Sequence, residues 1–166
     1  MHQTQYFRCR FRLDDRDRYV IWCSNEHDGL VESDGRILSF DSRAALENYA
    51  GARGITLQPG EPRFYDWDLV RRWCEKPSLR DVDPALLLDA WNMLSDSRAY
   101  ERGSAVGLFA LADRRNDPIY DKLFRVARAT GAYRDPGWSK DDGMRLSQVL
   151  HLGLAHLRQR LSDTPA

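Results

Sequence analysis

Residues 6–13 alternate without a break: Phe7, Cys9, Phe11 and Leu13 fall on one side, Arg8, Arg10 and Arg12 on the other. Only a period of two separates the classes so cleanly; a helix would scatter them around its axis. The chain therefore opens with a half-buried strand whose apolar face needs a cover. Tyr19-Val20-Ile21-Trp22-Cys23 is β-branched and aromatic and reads as a second, more buried strand, with the charged run 14–18 as the turn between them. Leu30-Val31-Glu32 and Arg36-Ile37-Leu38-Ser39-Phe40 flank Asp34-Gly35, a hairpin signal. The first quarter of the chain is expected to form an antiparallel meander.

Helical patterns follow. Asp41-Ser42 offers an N-cap to a helix through Leu46, Tyr49 and Ala50, with Gly54 as its left-handed stop. Residues 55–57 suit a further short strand. Asp66 or Asp68 can cap a short helix carrying Leu69, Val70 and Trp73. Asp83-Pro84 opens a helix with Leu87, Ala90, Trp91 and Leu94 on one face. Residues 98–113 fit a strand or a buried helix equally. Asp117-Pro118 starts another helix through Ile119, Leu123, Phe124 and Ala127, and Ser139 caps the last and longest one, with Asp141 and Asp142 in its first turn. Strands first and helices after predict an α+β fold: an N-terminal antiparallel sheet packed against several C-terminal helices. The expected organisation is one domain over 1–161, with a frayed tail at 162–166.

Several functions are disfavoured at once. The chain carries 25 basic and 25 acidic residues, so it has no general pull toward nucleic acid or an anionic membrane. No apolar run is long enough for a membrane span, and the first residues lack the pattern of a signal peptide. Cys9, Cys23 and Cys74 are odd in number and widely spaced, which suits reduced thiols in the cytoplasm. No metal, cofactor or nucleophile motif appears: His151 and His156 are five apart on a helix, and no phosphate-binding glycine loop or nucleophile elbow is present. The expectation is a protein with no catalytic residues, no metal and no cofactor. Arg8, Arg10 and Arg12 could track a nucleic-acid backbone, but acids at 14, 15 and 17 sit beside them, and a solvated sheet face accounts for them better.

Acids gather in the middle. Residues 61–101 hold nine acids against six bases, while 113–134 hold three acids against six bases. Asp89, Asn92 and Asp96 are not helix caps, yet their spacing gives them a shared helix face beside the apolar stripe. Tyr65-Asp66-Trp67-Asp68 mixes acids with the aromatic residues that anchor interfaces.

Four stretches carry a resemblance: Phe40-Asp41-Ser42 leading to Leu46 and Tyr49-Ala50; Tyr65-Asp66-Trp67-Asp68 leading to Trp73; the Leu87, Trp91, Asn92, Asp96 helix; and Ile119-Tyr120-Asp121-Lys122-Leu123-Phe124. Together, over most of 19–161, they resemble immunity proteins of bacterial polymorphic-toxin and contact-dependent-inhibition systems. The resemblance implies a non-catalytic, cytoplasmic inhibitor that binds a protein partner, one cognate toxin domain such as a nuclease. An acidic, aromatic face would suit a basic nuclease cleft. The residues expected to bind the partner are Tyr65, Asp66, Trp67, Asp68, Asp89, Asn92 and Asp96. A second reading stays open: an enzyme of unfamiliar type in which Asp89, Asn92, Asp96 and Asp121 converge in a pocket, with Lys122 or an arginine as electrophile.

Overall fold

The computed structural model describes residues 3–26, 28–78, 82–97, 114–129 and 137–163. The ambiguous segment 98–113 lies outside these residues. The elements run β1 (Gln5–Leu13), β2 (Arg16–Ser24), β3 (Gly29–Leu30), β4 (Glu32–Ser33), β5 (Arg36–Ser39), α1 (Arg43–Ala52), β6 (Arg63–Asp66), α2 (Trp67–Glu75), α3 (Pro84–Asp96), α4 (Asp117–Ala127), α5 (Lys140–Arg160) and β7 (Leu161–Asp163). The fold is α+β, as expected.

The alternation in β1 is realised: Cys9, Phe11 and Leu13 are buried, while Arg12 on the other side is exposed. β1 pairs antiparallel with β2, and the register sets Phe7 opposite Trp22, Cys9 opposite Val20 and Arg8 opposite Ile21. Directly paired residues share a face. Val20 and Trp22 therefore join the β1 apolar face, and Tyr19 and Ile21 point the other way. Two cores result. The larger gathers Cys9, Phe11, Leu13 and Val20 with the apolar faces of α2 to α5. The smaller packs Ile21, Leu38 and Phe40 against Leu46 and Ala50 of α1. β2 reads as nearly continuous apolar sequence because both its faces are covered.

The sheets are less purely antiparallel than the meander expectation. One sheet runs β3-β2-β1-β6, with β6 parallel to β1; the other runs β4-β5-β7, with β7 parallel to β5. Backbone hydrogen bonds between Tyr19 and Phe40 link the two. Both parallel partners arrive from far along the chain, after helices, a pairing that local alternation does not encode. Residues 55–57 form only a bridge, Leu57 to Tyr6. Of the tail expected over 162–166, Ser162 and Asp163 belong to β7, where Ser162 Oγ donates to the Ile37 carbonyl at 3.0 Å and Ser39 Oγ donates to the Ser162 carbonyl at 2.6 Å, and 164–166 lie outside the described residues.

The β1–β2 turn is only Asp14-Asp15, not the whole charged run, and both residues have φ of 56°. That conformation matches hairpin twist but disfavours side chains. Asp68 holds it in place, accepting from the backbone N–H of Asp14 at 2.9 Å and of Asp15 at 2.8 Å. Arg158 of α5 clamps the Asp14 carboxylate with two bonds of 2.7 Å.

Helix starts follow the sequence closely. Ser42 Oγ accepts from Ala45 N, Asp66 from Leu69 N and Asp83 from Ala85 N. Ser139 and Asp142 form a reciprocal capping box on α5. α4 begins at Asp117 after a short turn of 3-10 helix, with Asn116 as its cap residue. Its inward stripe is Ile119, Leu123 and Val126, which leaves Phe124 exposed.

Candidate functional site

The apolar face of the sheet is not covered along its full length. Where α3 passes over β1, β2 and β6, a cleft of about 560 Å³ opens, within the range of ligand-binding clefts. Its floor is the sheet. The antiparallel register brings Phe7 beside Trp22, ring centroids 5.2 Å apart, and the parallel register puts Arg63 and Tyr65 of β6 alongside Cys9 and Phe11. Its wall is α3, which contributes Asp89, Asn92, Met93 and Asp96. The rim holds Asp28 and the 58–61 loop.

The charges in this cleft are unevenly satisfied. Arg63 donates to Asp89 at 2.7 Å and lies 5.2 Å from the Tyr65 ring centroid. Arg8 is held by Glu47 at 2.8 Å and by the Gln58 carbonyl at 2.6 Å. Both cations are thus already engaged. Among the described residues Asp96 accepts only from the Trp22 indole N–H, at 3.2 Å, and Asp28 only from Ser24 Oγ, at 2.7 Å. No basic side chain among the described residues pairs with either. Burial, with the nearby Asp28 charge adding to it, pushes the Asp96 carboxyl up to about 6, against the Trp22 bond, which favours its charged form. Burial pushes the Cys9 thiol up to about 12, so it is no nucleophile.

The seven residues singled out from sequence divide. Asp89, Asn92 and Asp96 line one concave surface with Tyr65. Asn92 also accepts from the Tyr120 hydroxyl at 3.0 Å, tying α3 to α4. The other three serve the fold. Asp66 is the N-cap of α2. Trp67 is 0% exposed and stacks on Tyr65, with centroids 4.9 Å apart. Asp68 is 1% exposed and committed to the β1–β2 turn. Trp67 and Asp68 thus present nothing to a partner, because the β6–α2 junction points them into the core. Of the enzyme reading's other groups, Asp121 is exposed on α4 and does not line the cleft, and Lys122 pairs with Asp142 at 2.7 Å.

Sequence reasoning missed the sheet half of the site: Phe7, Trp22, Asp28 and Arg63. The β1 alternation places Phe7 on the inner face, but which end of that face stays uncovered depends on where α3 lands. The arginine stripe on the outer face is internally neutralised. Arg10 and Arg12 both bond to Asp17. The exposed Phe64 ring of β6 lies under them, 5.0 and 5.9 Å from their guanidinium carbons.

Among the described residues no group of His, Cys, Asp and Glu is arranged to hold a metal ion, and no helix is long and apolar enough to cross a membrane. The sequence matches no protein family and no curated protein. In fold it is similar to the C-terminal domain of SatS, known from a crystal structure of that domain in complex with bromine. The TM-score is 0.59 and the identity 17%, over 96% of this chain and 94% of that one. At this identity the likeness is one of architecture.

Proposed function

We propose that this protein is a non-catalytic, immunity-type inhibitor that works in the cytoplasm and binds a protein partner, a cognate toxin domain, through the cleft between α3 and the sheet. The observation that carries this reading is the convergence of Asp89, Asn92 and Asp96 on one concave surface with Phe7 and Trp22. Acids give such a surface specificity and on-rate toward a basic partner, and a partly buried tryptophan supplies an anchor. The binding face is concave: it keeps the α3 residues Asp89, Asn92 and Asp96 and Tyr65 that the sequence suggested, and takes Phe7 and Trp22 in place of Asp66, Trp67 and Asp68.

The test is co-purification from the native host with a tag on the C-terminus, followed by mass spectrometry. A stoichiometric partner carrying a toxin-like domain is expected. Its capture should be lost from an Asp89→Ala, Asn92→Ala, Asp96→Ala triple variant whose unfolding remains cooperative. Undiminished capture by that variant would move the binding surface elsewhere.

One observation favours an enzyme as a second reading. A half-buried carboxyl pushed up to about 6 inside a cleft, beside a second carboxylate, is suited to general acid–base work near neutral pH. Asp121 and Lys122 take no part in it.

A further inference from the structure

We infer that the cleft between α3 and the β1–β2–β6 face is a recognition site for one planar organic cation, the guanidinium group, held between the Asp96 and Asp28 carboxylates and the Trp22 ring. The inference rests on the reading of this cleft as the binding site and names what enters it: an arginine side chain of the partner.

Four features of the cleft lead there. The first is its charge. Its two cations, Arg8 and Arg63, are each neutralised by an acid of this chain, Glu47 and Asp89. What the cleft offers a ligand is therefore the carboxylate pair Asp28 and Asp96, each bonded among the described residues to a neutral donor alone. Two neighbouring carboxylates repel each other, and a cation between them relieves that repulsion. The second is the aromatic floor. The Phe7 and Trp22 rings pack at a tilt of 46° beside Asp96, and the indole N–H bond to Asp96 fixes the Trp22 ring next to the charge. An indole face attracts a cation most strongly where water is partly excluded.

The third feature is shape. A guanidinium presents a flat fork of donors that matches a carboxylate edge on and an aromatic ring face on, whereas an ammonium is a compact and strongly hydrated point charge. The protein already makes this arrangement within the same cleft, where Arg63 bonds to Asp89 while lying over Tyr65. The fourth is rigidity. Asp96 and Asn92 sit on a helix, and Asn92 is tied to Tyr120, so the wall is preorganised before the ligand arrives.

The test follows the Trp22 indole N–H resonance in a nitrogen–proton correlation spectrum, identified by its loss in Trp22→Phe. Three probes are titrated at neutral pH: agmatine, a blocked Gly-Arg-Gly peptide, and the same peptide with citrulline replacing arginine. Saturable shifts of this resonance by the arginine peptide are expected, with none from the citrulline peptide. Asp96→Asn, which keeps the indole bond, should weaken binding roughly tenfold or more, as loss of a charge-assisted hydrogen bond does. Asp28→Asn, at an exposed position outside the core where the amide oxygen can still accept from Ser24, should weaken arginine-peptide binding in the same direction, and undiminished binding by both variants would overturn the inference. Equal shifts from arginine and citrulline peptides, or none from any probe, would overturn the inference. The underlying reading fails separately. Binding of agmatine alone keeps the guanidinium site but assigns it to a small free cation. A captured toxin partner whose binding ignores Asp96→Asn keeps the inhibitor while ending the guanidinium site.

Discussion

Asp68 is the acid whose position decides most at the residue scale. It stands next to Trp67 in a stretch that looks like an exposed anchor, yet it is buried and accepts from two backbone N–H groups of a turn more than fifty residues away. Asp14 and Asp15 hold a left-handed conformation that side chains resist, so the turn depends on those two bonds. Asp68→Ala is expected to cost about 3 kcal/mol, the loss of hydrogen bonds to a buried charged acceptor, read as a lower denaturation midpoint at neutral pH. Asp96 behaves oppositely. Its folded carboxyl titrates at about 6 against 3.8 for an unperturbed one, so between those values the folded protein holds more protons than the unfolded chain. Its contribution to stability therefore falls as pH rises from about 4 to about 6. Asp28, Asp89, Arg63 and Tyr65 face it from the rim, α3 and β6. Asp96→Asn should match the parent near pH 4 and exceed it in midpoint above pH 6. A gap that does not open with pH would show that Asp96 ionises without penalty. Helix spacing singled out Asp96 as a pocket candidate, but the role of Asp68 was not legible, since an acid looks the same whether it meets backbone N–H groups, a ring or water.

At the scale of elements the sequence was far more informative, because caps and periodicity are local. Ser42, Asp83 and Ser139 begin helices where the chain says they should, and the α3 stripe Leu87, Ala90, Trp91 and Leu94 is buried. Packing between elements adds what local pattern lacks. Gly153 sits mid-way along α5, where glycine disfavours a helix, and a Cβ there would lie 2.7 Å from Leu94 Cδ1 and 3.4 Å from its Cβ and Cγ. The glycine lets α5 approach α3. Gly51 near the end of α1 meets nothing within 4 Å. The same change should therefore have opposite signs. Gly51→Ala is expected to stabilise by about 0.5–1 kcal/mol through helix propensity. Gly153→Ala is expected to destabilise by about 1–2 kcal/mol, since overpacking outweighs the propensity gain. Thermal melts of the two variants settle it; a stabilised Gly153→Ala would show that the α3–α5 contact has slack.

The whole molecule is closed by its last described strand. After α5 the chain returns as β7, parallel to β5 in the β4-β5-β7 sheet, and this long-range pairing, like that of β6 with β1, is one that strand and helix patterns did not reveal. One leucine followed by two polar residues does not announce a strand, and only the neighbouring edge of β5 makes them one. Around it, Leu161 is 7% exposed in the larger core, Arg36 donates to its carbonyl at 2.7 Å, and Arg160 pairs with Glu32 at 2.7 Å in a half-buried setting. Arg160 also donates to the Ser97 carbonyl at 2.6 Å, so α3, α5 and the β4–β5 hairpin meet at one place. Stopping the chain after Arg160 removes β7, uncovers the β5 edge and strips a core leucine. A truncation of a frayed tail would change stability by less than about 0.5 kcal/mol, as surface changes do. Loss of a buried leucine alone costs about 2–5 kcal/mol, and the strand bonds add to that. The truncated protein is therefore expected to unfold at a markedly lower denaturant concentration, in one transition, because β7 is anchored in the same core as α2, α3 and α5. An unchanged midpoint would detach β7 from that core. Two separate transitions would mean instead that the β4-β5-β7 sheet unfolds independently of the sheet that carries the cleft.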